Sequence, residues 1–182
     1  MAGKASAAKA YTNLAAMGVV TARSGDAGLA ICRTDGGVRV HSLYDHRKDI
    51  ELAAPVQPPL LHIVLRNDKD GSTAELTSGE GWGRVDCRSL SGTGVSIRLS
   101  LPGDKRFAGI EAAATAKADP GSSGWRWTLR VVNASREWGI EQVAFPRIAV
   151  MPPAEDTAVF YPTGAGIVQP IRPGTSINRD SL

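Results

Sequence analysis

The sequence predicts an all-β protein, an antiparallel β-sandwich of about ten strands. Three observations carry this. Turn formers recur about every eight to twelve residues from Met17 onward. The runs between them are rich in β-branched and aromatic side chains that alternate with period two. The stretch Gly124 to Phe160 then strings together an alternating strand, an Asn-Ala-Ser turn, a second strand and a Phe-Pro stop, and it holds three of the chain's four tryptophans.

In chain order, residues 1–16 are alanine-rich with Lys4 and Lys9, and read as a leader or a flexible or short helical N-terminus. The mildly apolar run Ala10 to Val20 faintly resembles a signal peptide but is broken by Thr12 and Asn13. Residues 17–170 form the sandwich domain, and 171–182, without periodicity, a truncated linker or tail. Strands are predicted at Gly28–Thr34, Val38–Tyr44, Leu60–Arg66, Thr73–Thr77, Arg84–Arg88, Gly94–Leu101, Ala108–Ala118, Trp125–Asn133, Gly139–Phe145 and Ile148–Met151. Asp35-Gly36-Gly37 is the clearest hairpin signal, because glycine takes the positive φ angles of tight β turns. In the run from Ala108, Ile110, Ala112, Ala114 and Ala116 share a face, although an amphipathic helix also tolerates that segment. Trp125, Trp127, Leu129 and Val131 form a row on the next strand that reads as core-facing, with a sugar-stacking platform as the alternative.

Composition narrows the classes of function. The 182 residues suit one domain, and 42% apolar with 21% charged residues is ordinary for a globular fold. Twenty-one basic and eighteen acidic residues are scattered without a cationic run, so no nucleic acid partner is expected. No segment reaches the roughly 18 apolar residues of a spanning helix, so no membrane insertion is expected. Cys32 and Cys87 lie in predicted strands without zinc-site spacing, and read as buried thiols rather than a disulfide.

Chemistry is sparse. Asp45, Asp49, Glu51, Glu111, Glu137, Glu141, Glu155 and Asp156 are the carboxylates weighed as a glycosidase pair, and most fall in turns or on solvent faces. His41, His46 and His62 do not share one face, and neither a phosphate loop nor a nucleophile elbow occurs, so neither catalytic residues nor a metal site or cofactor is assigned. Trp82, at the tip of the glycine-rich Gly79–Gly83, reads equally as a ligand contact and as a buried anchor; with Trp138 and Tyr161 it makes up the candidate carbohydrate-binding set.

Two blocks resemble a known family. Gly28 to Asp45 with Glu51-Leu52 resembles the opening hairpin of the β-sandwich that precedes the barrel in large carbohydrate-active enzymes. Trp127–Asn133, Ile140–Pro146 and Asp156–Gly166 are similar to later strands of the same domain in glycoside-hydrolase-like proteins. The resemblance implies a galactose-mutarotase-like supersandwich followed by a catalytic (β/α)8 barrel, for which this chain has no room. The function it implies is a non-catalytic N-terminal module supporting or packing on that barrel. A stand-alone carbohydrate-binding module and a small mutarotase-like or lyase-like enzyme are the alternatives.

Overall fold

The computed structural model describes residues 18–151 and the strands Ala158–Tyr161 and Ile167–Pro170. The predicted leader 1–16 and the tail 171–182 lie outside the described residues. Two compact units divide the chain, Met1–Ala149 and Val150–Leu182.

The first unit is all-β and sandwich-like. Its strands are β1 (Val19–Ser24), β2 (Ala27–Thr34), β3 (Gly37–Asp45), β4 (Ile50–Glu51), β5 (His62–Asn67), β6 (Thr73–Thr77), β7 (Trp82–Ser89), β8 (Gly94–Pro102), β9 (Ile110–Ala118), β10 (Trp125–Asn133) and β11 (Trp138–Ala144). They form three antiparallel sheets in the orders β1-β2-β3-β4, β10-β9-β8-β7 and β11-β5-β6. The second unit contains an antiparallel pair, β12 (Ala158–Tyr161) and β13 (Ile167–Pro170). No helix of the described residues is long and apolar enough to cross a membrane.

Period-two alternation builds the core. Ile110, Ala112, Ala114 and Ala116 of β9 are all buried, which settles that segment as a strand. Their small side chains have a packing reason: Val95, Ile97 and Leu99 of β8 lie opposite them on one side, and Trp127, Leu129 and Val131 of β10 on the other. Alanines between two rows of large residues keep the inner face near native packing density. The tryptophan row does face the core, but β10 is an edge strand and the row is only half-buried. Ile31 and Val38 from the first sheet and Ile63 and Leu65 from the third complete the same cluster.

Hydrogen bonds stitch the sheets together around Gly36, Val38 and Ser78. Val38 N donates to Ser78 O at 2.6 Å, and Trp82 N to Gly36 O at 3.0 Å. Ser78 is buried yet fully used: its N donates to Leu61 O at 2.9 Å, its Oγ accepts from Leu61 N at 3.0 Å, and its hydroxyl donates to Val38 O.

One strand expectation needs correction, and β1, β4, β12 and β13 lie outside the expected set. Ile148–Met151 forms no ladder strand; the Gln57 side chain instead mimics a neighbouring backbone, its amide donating to Ala149 O at 2.7 Å and accepting from Ala149 N at 3.1 Å. Strand β1 was not anticipated, because the apolar run leading into Val20 reads as part of a leader when no partner strand is in view. The two-residue β4 is too short for periodicity to register.

Cys32 and Cys87 are both free thiols and half-buried. Burial first, then the neighbouring Asp86 and Cys32, pushes the Cys87 thiol up to about 12. The folded protein therefore keeps a proton that the unfolded chain releases near the ordinary thiol value of 9.0. This contribution to stability is complete below that value and is lost as pH rises toward the folded one. In urea titrations across that window the wild type is expected to lose stability more steeply than Cys87→Ala; parallel curves would refute it.

Candidate functional site

The most ligand-like feature is a groove of about 360 Å³ where the β3–β4 connection meets the β9–β10 turn. Its walls are Tyr44, Leu43 and Leu52 on one side and Trp125 with Ser123 on the other, and Asp26, Asp45, Arg47 and Lys48 supply charged groups. Local chemistry sets the β3–β4 connection. Asp45 Oδ1 accepts from Arg47 N at 2.9 Å and Lys48 N at 3.0 Å, an Asx turn that ends β3 and projects both cations outward. The Tyr44 hydroxyl bonds Asp49, and its ring meets that of His46 edge-on at 5.0 Å. Glu51 fastens the return: Oε1 accepts from Leu43 N at 2.9 Å and Ala53 N at 2.8 Å, and Oε2 from Ser42 Oγ at 2.5 Å. On the opposite wall, Asp26 N donates to Ser123 Oγ at 3.1 Å, pinning the β9–β10 turn to the start of β2.

Trp125 stands apart from the other described indoles. Its Nε1 is sealed from solvent without a hydrogen-bond partner among the described residues. A buried indole N–H normally finds an acceptor, and leaving it unmade costs about 1–3 kcal/mol. Trp82 follows that rule, donating to Thr77 O at 2.7 Å.

Two of the three carbohydrate candidates proposed from sequence are buried. Trp82 is only 3% exposed and Trp138 5%, so neither offers a ring face to a sugar, which corrects both assignments. Trp82 is an anchor that plugs the sheet junction. Trp138 packs edge-on against Phe107 at 5.2 Å, with the Arg106 guanidinium over its ring. Asp104 holds that arginine in a two-pronged pair whose hydrogen bonds keep the Asp104 carboxyl below its usual range. Tyr161 closes β12, and its side chain lies outside the described residues.

Three of the weighed carboxylates take cations as partners. Glu111 pairs with Arg98 at 3.0 Å, Glu141 with Arg66 at 3.5 Å, and Glu137 with Lys69, all on the surface. Glu155 and Asp156 lie outside the described residues. His41 is exposed. His62 Nε2 comes within 3.0 Å of Glu75 Oε2 across β5 and β6 without the alignment of a hydrogen bond, and that nitrogen is sealed from solvent. Among the described residues, no three of His, Cys, Asp and Glu gather as a metal site would require.

Sequence reasoning reached some groove residues only separately: Trp125 as part of a core row, Asp45 among the carboxylates and Tyr44 inside a hairpin motif. It missed Asp26, Ser123, Arg47 and Lys48. The one available signal was turn chemistry, the Asp45-to-Lys48 sequence at the end of an aromatic-bearing strand. No protein-family model matches the chain, and none of the curated proteins matches it.

Proposed function

We propose that this chain is a non-catalytic β-sandwich module of a carbohydrate-active protein, and that it binds carbohydrate in the Tyr44–Trp125 groove. The carrying observation is that the half-buried Trp125 indole and the Tyr44 phenol ring line one groove that also holds charged side chains. Sugars are recognised by apolar ring faces against aromatic side chains, with hydroxyls taken up by a few placed donors and acceptors. The Asp26 carboxylate and the Arg47 and Lys48 head groups, which take no hydrogen bond from the described residues, suit that second role. The resemblance of the β2–β3 hairpin to the sandwich domains of glycoside-hydrolase-like proteins supports the same class of ligand. A contact role also agrees with Glu111, Glu137 and Glu141, each of which pairs with a surface cation rather than with a second carboxylate across a cleft.

A second reading, support of a catalytic barrel, draws on a different feature. The half-buried row Trp127, Leu129 and Val131 on edge strand β10, with the 37%-exposed Ile140 and 39%-exposed Val143 on edge strand β11, offers apolar surface to a partner domain.

The test is calorimetric titration of the full chain with cellohexaose, maltohexaose and galactotriose. Saturable binding of at least one is expected. Trp125→Ala should weaken it at least about tenfold, and Trp125→Phe, which keeps a smaller aromatic ring, by a smaller factor. No binding by the wild type, or unchanged affinity in Trp125→Ala, overturns the groove reading.

A further inference from the structure

On the face of the β1-β2-β3 sheet that carries Gly28 and Ala30, the geometry points to a separate site for a small oxyanion, a carboxylate or phosphate group carried by a ligand. Strand alternation makes the pocket. Gly28 and Ala30 of β2 form its floor, because the middle strand contributes almost no side chain there. Thr21 and Arg23 of β1 lie opposite Ala30 and Gly28, and Ser42 of β3 opposite Ala30 on the far side. Walls one strand spacing of about 4.8 Å to either side of a bare floor leave a depression of about 260 Å³.

Two nitrogen donors flank the same glycine. Arg23 is the register partner of Gly28, and its Nε donates to Gly25 O at 2.8 Å, which orients the guanidinium and leaves its terminal nitrogens without a partner among the described residues. His46 lies directly over Gly28: a Cβ there would come within 2.9 Å of its Nε2. The imidazole is held in that position, since His46 N donates to Asp26 O at 2.7 Å and the ring meets Tyr44 edge-on. The Thr21 hydroxyl adds a third donor on the wall. Glu51, beside the wall residue Ser42, has both oxygens occupied by Ser42 Oγ, Leu43 N and Ala53 N. A fork of guanidinium nitrogens beside an imidazole seated over a glycine is the donor arrangement that oxyanions select. This site shares no lining residue with the Tyr44–Trp125 groove and does not rest on the reading of that groove.

The test titrates the full isotopically labelled chain with inorganic phosphate and, in a second arm, with glucuronate, following amide shifts. Saturable shifts centred on Gly28, Ala30 and His46 are expected with at least one anion, complete by about 50 mM. The arm that saturates identifies the source as phosphate or carboxylate. Arg23→Gln should weaken binding about tenfold. Gly28→Ala, which keeps every charge but displaces the imidazole, should weaken it as well. Arg84→Gln, which removes one exposed charge from β7, should change nothing. Circular dichroism confirms that each variant is folded. Linear, unsaturated shifts with both anions, or equal losses in Arg23→Gln and Arg84→Gln, overturn the site.

Discussion

Trp82→Ala is expected to cost about 3–5 kcal/mol of stability, measured by urea unfolding, because it combines a large cavity with a stranded backbone acceptor. The indole is 3% exposed, and its Nε1 donates to Thr77 O at 2.7 Å. Its backbone N also donates to Gly36 O, so the side chain sits where the hairpin of the first sheet meets the start of β7. Carbohydrate binding, measured well below the unfolding midpoint, should be unchanged. A stable Trp82→Ala protein that had lost its sugar would restore the binding role expected from sequence. Trp82→Phe should recover part of the stability, since it refills most of the space but leaves Thr77 O without its donor.

Gly37→Ala is expected to destabilise by about 3 kcal/mol, through overpacking rather than backbone strain. A Cβ at Gly37 would overlap the Gly79 carbonyl and come within 2.5 Å of Ser78 O. These are backbone atoms held by the Val38-to-Ser78 hydrogen bond and by Thr34 Oγ1, which donates to Gly79 O at 3.0 Å, so they have no rotamer through which to escape. Gly36 is the informative comparison. It has φ of +78°, and alanine there is disfavoured by conformation, with its nearest neighbour at 3.2 Å. Gly36→Ala should therefore cost about 1 kcal/mol, within the range for a left-handed residue. Unfolding curves that ranked Gly36→Ala above Gly37→Ala would show that turn conformation, not sheet apposition, governs this junction.

Those two adjacent glycines mark what was legible. Asp35-Gly36-Gly37 announced the hairpin, and β2 and β3 do pair across it. The requirement at Gly37 was invisible, because it comes from Gly79, forty-two positions along the chain, pressing on it. The same division runs through the indoles. Alternation placed Trp125 and Trp127 on one strand face, but only the sheet order makes β10 an edge and leaves that face half-covered. Trp82 sits at a glycine-rich tip that reads equally as ligand contact and as buried anchor, and the meeting of sheets decides for the anchor. The groove joins Tyr44 to Trp125, and the oxyanion pocket joins Arg23 to His46; in each case strand pairing and turn contacts unite residues that the linear order separates.

The sequence by itself determined the local terms: an all-β chain, most strand positions, the inner face of β9 and the Phe-Pro end of β11. Period-two side-chain direction, glycine φ freedom and the missing proline donor act within a few residues and need no partner to be read. Which tryptophans are covered, which glycine cannot change and which donors converge were decided only when the three sheets closed on one core. Apposition between distant strands is a property of their pairing and twist, and no local preference encodes it.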